Sequence, residues 1–102
     1  MNYESGEFGT GGQRECAVEL VFKGVLGEPF VAFAIARARR LSLRGWISQG
    51  TDTVTVSAEG PQALVDAFEI VCTLGPIQSS IETWTRTESN HGLNIAGFDR
   101  RT

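Results

Sequence analysis

Few side chains in this sequence are spaced to do chemistry, and their neighbours rule out most of the familiar reactions. His91 is the single histidine. It sits in a polar turn beside Ser89 and Asn90 with no acid placed to orient it. It therefore reads as an exposed loop histidine rather than the base of a Ser-His-Asp triad. The carboxylates Asp52, Glu59, Asp66, Glu69 and Glu82 are scattered singly, without the spacing of a metal-binding loop. Cys16 and Cys72 fall on separate elements, neither in a CxxC, and no second Cys/His pair completes a zinc site. They read as two reduced, half-buried thiols, with a disulfide left open because sequence does not fix their separation. Arg37, Arg39 and Arg40 crowd the last turn of a predicted helix, where positive charge complements the dipole. What remains is residues 24–33, Gly-Val-Leu-Gly-Glu-Pro-Phe-Val-Ala-Phe, a glycine-bounded loop entering an Ala-rich helix. Further on, Gly45-Trp46-Ile47-Ser48-Gln49 leads into an alternating strand.

The elements that would position these residues follow from periodicity. Cys16, Val18, Leu20 and Phe22 alternate with Ala17, Glu19, Val21 and Lys23, the pattern of a strand with one face in a core. Gly24 ends it, and Pro29 suits the first turn of a helix. Phe30, Phe33, Ala34, Ala38 and Leu41 recur at helical spacing as its buried stripe. Residues 43–49 and 53–58 read as two strands of a hairpin around Gly50-Thr51-Asp52. Trp46 is the aromatic expected to be partly exposed beside that hairpin. Gly60-Pro61 opens a second helix, with Pro61 at its first position and Leu64, Ala67, Phe68, Val71 and Cys72 on its apolar face. Gly75-Pro76 closes it. Residues 77–87 form a fourth strand with Ile81, Thr83 and Thr85 on one alternation, and residues 89–92 a turn. Residues 93–99 supply a short edge strand, after which residues 100–102 fray. The order β-α-β-β-α-β predicts an α+β, ferredoxin-like sandwich, with two helices on one face of an antiparallel sheet.

At 102 residues the chain is one domain with one modest core. Residues 1–14 carry four glycines and little apolar content, so they read as a flexible tail before a domain over 15–102. The net charge of −3 argues against nonspecific binding to nucleic acid or anionic membrane. No apolar run approaches the roughly 20 residues of a membrane span, and no signal-peptide pattern opens the chain. A cytoplasmic monomer is expected.

Over residues 16–99 the chain resembles the acylphosphatase family. Residues 24–33 correspond to the family's Gly-x-Val-Gln-Gly-Val-x-Phe-Arg-x-Phe/Tyr, and Gly45-Trp46-Ile47-Ser48-Gln49 to its Gly-Trp-Val-x-Asn. Glu59-Gly60-Pro61, Gly75-Pro76 and Gly97-Phe98 match in order. The resemblance implies hydrolysis of the carboxyl–phosphate anhydride of an acyl phosphate, with no metal and no cofactor. Backbone N–H groups of the loop would cradle the phosphoryl oxygens. An Arg would neutralise transition-state charge, and an Asn would orient water.

Against that pattern the chemistry is altered. Val31 holds the position of the Arg and Gln49 that of the Asn. The phosphate loop becomes Leu26, Gly27, Glu28, Pro29 and Phe30, one residue shorter. Pro29 lacks an amide donor, and Glu28 sets a carboxylate where phosphate would sit. Losing one pre-organised donor costs ~10²–10³ in rate, and a phosphoryl-transfer arginine is worth about 10³–10⁵. The expected outcome is a domain with hydrolase activity lost or severely reduced, serving as a binding module for a protein or small-molecule partner. The alternative is an active acylphosphatase with a rearranged site, taking its charge from Lys23 or Arg44 and its water from Gln49. Lys23, just before the loop, is the candidate anion contact. The Arg37/Arg39/Arg40 cluster lies too far along its helix.

Overall fold

A computed structural model describes residues 14–89 and 96–101. The chain runs β1 (Glu15–Val25), α1 (Gly27–Arg40), β2 (Arg44–Gln49), β3 (Thr53–Pro61), α2 (Gln62–Leu74), β4 (Ser80–Ser89) and β5 (Phe98–Arg101). The sheet order is β4-β1-β3-β2-β5. Both helices pack on one face, α2 over β1 and β3 and α1 over β2 and β5. This is the ferredoxin-like arrangement with one addition. The β4-β1-β3-β2 ladder is antiparallel, but β5 lies parallel to β2, so the sheet is mixed.

The core forms where the alternations meet. Val18, Leu20 and Phe22 of β1, Val54, Val56 and Ala58 of β3, and Ile47 of β2 are all buried beneath the helices. Helix α1 contributes Phe30, Val31, Ala34 and Ala38, and α2 contributes Val65, Phe68 and Cys72. The rings of Phe22 and Phe30 meet edge to face at 5.3 Å, and those of Phe68 and Phe98 at 6.1 Å. Such pairs add about 0.5–1.5 kcal/mol beyond their burial.

Several local expectations are corrected. Phe33 is only half buried, its ring covered by the Arg37 guanidinium at 5.4 Å, and Val31 takes its place in the core. On α2 the buried positions are Val65, Phe68 and Cys72, while Leu64, Ala67 and Val71 are half buried. Pro61 ends β3 and caps α2 instead of opening it. Cys16 and Cys72 are free thiols as expected, but Cys72 is fully buried and not half buried. The edge strand is Phe98–Arg101, so Arg100 and Arg101 belong to the sheet and do not fray. Of the expected tail, residues 1–13 lie outside the described residues, as do His91 and the start of the expected edge strand.

The largest departure from simple alternation is a bulge. The β1–β4 register shifts between Lys23 and Gly24, which seats Ile81 opposite Gly24 and against the core, while Thr83 faces Lys23. The expected Ile81-Thr83-Thr85 face is therefore split. Gly24 adopts φ +145°, and a Cβ there would lie 2.1 Å from the Ser80 carbonyl oxygen. Only glycine permits that approach. The bulge ends β1's regular pairing just where the chain must turn into α1, and Leu26 alone links the two elements.

Candidate active site

Helix α1 begins abruptly, and its start defines the site. Gly27 takes φ +63°, a left-handed conformation that turns the chain sharply out of β1. The Leu26 cap offers no side-chain hydrogen bond. The first N–H groups of a helix have no intrahelical acceptor. Here these are the amides of Gly27, Glu28 and Phe30, with Pro29 contributing none. Phe30 is buried in the core and Leu26 nearly so, which anchors the turn from below. The β2–β3 turn closes against it, the Gly24 N–H donating to the Asp52 carbonyl at 3.2 Å.

Gln49 arrives from the end of β2. Along β2 the buried residues Gly45 and Ile47 face the helices, so Gln49 lies on that same side by alternation. Parallel pairing sets Phe98 beside Gly45 and Arg100 beside Ile47, which puts Arg100 on the helix side as well. The guanidinium reaches both partners. Nη1 donates to Glu28 Oε1 at 2.8 Å, and Nη2 donates to Glu28 Oε2 and, at 2.9 Å, to Gln49 Oε1. The hydrogen bond from Arg100 holds the Glu28 carboxyl below its ordinary range, and Glu28 in turn raises Arg100. Gln49, Gly50, Arg100 and Arg101 line a cleft of about 280 Å³. Arg101 lies at the edge of the cleft, its guanidinium stacked over the half-buried Trp46 ring at 4.5 Å.

The expected site residues divide sharply. Gln49, Gly27, Glu28, Pro29 and Phe30 assemble at one end of the sheet. Val31 is 1% exposed and lies inside the core, away from the cleft lining. Lys23 is exposed on the sheet face opposite Phe22, paired with Thr53 and Thr83. Arg44 begins β2, five residues and about 16 Å from Gln49 along the strand, and is bound to Glu15 and Glu59. Neither supplies charge to the cleft. The cation that reaches both Glu28 and Gln49 is Arg100, which the sequence places in a fraying end. Its signal was the step from Phe98, an apolar anchor, to position 100 on the same side of an extended strand.

Comparison with known proteins places this geometry. The acylphosphatase family model matches residues 18–99. An acylphosphatase from Anaeromyxobacter sp. (strain Fw109-5) is 43% identical over 83 residues, covering 80% of this chain and 89% of that protein. The crystal structure of acylphosphatase from Bacillus subtilis superposes with a TM-score of 0.81 at 24% identity, over 85% of this chain and 99% of that one. An acylphosphatase from Coxiella burnetii gives 0.79 at 19% identity, over 85% and 93% respectively. The loop, the strand ending in Gln49 and the sandwich that brings them together are those of one lineage: the chain belongs to the acylphosphatase family.

Proposed function

We propose that the chain hydrolyses acyl phosphates with a rearranged site. The observation that carries this reading is the Gln49 carboxamide, held beside the N-terminus of α1 by a hydrogen bond from a guanidinium. The helix amides favour a phosphoryl anion. Gln49 Oε1 uses one lone pair on Arg100 and keeps a second for a water O–H. The water oxygen bonds to phosphorus as the bridging O–P bond breaks, and its electron pair leaves on the carboxylate. One water proton passes to a phosphoryl oxygen, so the products are a carboxylate and dihydrogen phosphate. The 43% identical acylphosphatase supports the same reading.

A second reading, a binding module without turnover, draws on a different observation. Glu28 already occupies the fork of Arg100, and Pro29 and Val31 remove a donor and a charge from the loop. Incubation with benzoyl phosphate separates the two. The hydrolase reading expects turnover well above the spontaneous rate, abolished by Gln49→Ala. Hydrolysis at the spontaneous rate would leave the binding module.

A further inference from the structure

We propose that Arg100 of β5 is the catalytic arginine of this chain, and that Glu28 is its resting counter-ion, displaced when a phosphoryl group binds. The inference rests on the hydrolase reading and names the residue that bears the charge.

Three observations converge on it. The α1 position that the family motif gives to arginine is Val31, and Val31 is buried in the core. Among the described residues, Arg100 is the cation that touches both the first turn of α1 and Gln49. Its contact with Glu28 is two-armed, one N–H to each carboxylate oxygen. A guanidinium fork binds carboxylate and phosphate in the same planar geometry. The two Glu28 oxygens therefore mark where two phosphoryl oxygens can be received.

The pair is built to exchange. The side chains of Glu28 and Arg100 are 66% and 40% exposed, and an ion pair so open to water gains little from its own attraction. Glu28 sits on the first turn of α1, so its carboxylate can swing outward while its backbone N–H stays at the site. An incoming phosphoryl group then meets the guanidinium, the helix amides and Gln49 together. As the O–P bond lengthens, negative charge on the phosphoryl oxygens and the departing carboxylate is met by the fork that Glu28 has left. Glu28 also sets selectivity. A ligand must carry enough negative charge to outcompete an intramolecular carboxylate, which favours dianionic phosphoryl groups over simple carboxylates.

The test is benzoyl phosphate hydrolysis, with inorganic phosphate as competing ligand, on the full chain. Arg100→Ala is expected to lower kcat/KM by about 10³–10⁵, and Arg100→Lys to fall between, because it keeps the charge but loses the fork. Glu28→Gln is expected to tighten phosphate inhibition severalfold, and Arg100→Ala to weaken it. Lys23→Ala, on the other face of the sheet, should stay within about threefold of wild type. Far-UV circular dichroism on each variant separates lost fold from lost function. Turnover that survives Arg100→Ala and Arg100→Lys but not Gln49→Ala overturns the role of Arg100 and leaves the hydrolase reading standing. Weaker phosphate inhibition in Glu28→Gln overturns the counter-ion role. No turnover in wild type and Glu28→Gln alike removes the hydrolase reading and the catalytic arginine with it.

Discussion

Two arginines, each on an edge strand and each reaching toward a helix, stand at opposite sides of the sheet and do different work. Arg86 of β4 donates to Asp66 and Glu69 of α2 at 2.9 and 2.8 Å, and to Glu88 on its own strand at 2.7 Å. Glu69 is held further by the Trp84 indole N–H at 2.9 Å. The Arg86 side chain is 22% exposed. Burial opposes its charge, but the three carboxylates outweigh burial and raise its pKa. Arg100 of β5 has a single carboxylate, a carboxamide and nearly twice the exposure. One cation is surrounded by more negative charge than it can neutralise. The other has a single exposed counter-ion and an adjoining cleft. The same side chain thus serves as a clamp in one place and as an available charge in the other.

That contrast can be broken first at the level of rate. Arg100→Ala should cost about 10³–10⁵ in kcat/KM toward benzoyl phosphate, whereas folded Arg86→Ala should retain near wild-type turnover. Comparable losses in both would end the distinction. Stability should show the reverse order. Arg86→Ala leaves Asp66 and Glu69 of α2 and Glu88 of β4 without their shared cation and is expected to lose about 2 kcal/mol in a urea melt, with Arg100→Ala moving the midpoint far less.

Alkaline titration sharpens the clamp side. Cys72 of α2 is buried beside Glu69, and burial first, then that carboxylate, push its thiol from 9.0 up to about 12. The unfolded chain releases this proton near its ordinary value while the native chain keeps it. Stability should therefore fall by about 1.4 kcal/mol per pH unit above pH 9, levelling off near the native value. Cys72→Ala should flatten that slope, and an unchanged slope would place the thiol elsewhere. The smallest effect is at the cleft. The Glu28 carboxyl, followed by carbon-detected NMR, should titrate below 4.5 in wild type and return toward 4.5 in Arg100→Ala. Its pair is complete above that range and is lost as pH falls through the lowered native value.

Legibility in the sequence followed the range of the interactions. Alternation in residues 16–23 and 53–58, and helical spacing from Phe30 to Ala38, depend on neighbours a few residues apart; the strands and the helix follow from them, and only Phe33 in the helical stripe gives way, to Val31. Gln49 was found because it closes a strand within a local motif. Arg100 was not, because its role depends on parallel pairing between residues 53 apart in sequence, as in Gly45 with Phe98. Nothing local distinguishes Arg100 from Arg101, yet one reaches Glu28 and Gln49 and the other, at the edge of the cleft, stacks on Trp46. The bulge at Gly24 was hidden for a similar reason. A glycine at the end of a strand reads as a stop, and only the partner strand shows that pairing continues past it, through Val25 and Ser80.

The four-residue β5 also separates losing activity from losing structure. It pairs on one side only, parallel to β2 from Gly45 to Ser48, and is held further by the Phe98 ring, by the Gly45 N–H to the Gly97 carbonyl at 2.9 Å, and by Arg39 Nε to the Phe98 carbonyl at 2.9 Å. A four-residue strand paired on one side alone lies at the rim of the sheet, and rim segments open locally at a fraction of the global unfolding free energy. Each such opening withdraws the guanidinium while the rest of the sheet stays intact. On the hydrolase reading, turnover should therefore be lost in mild denaturant before the protein melts.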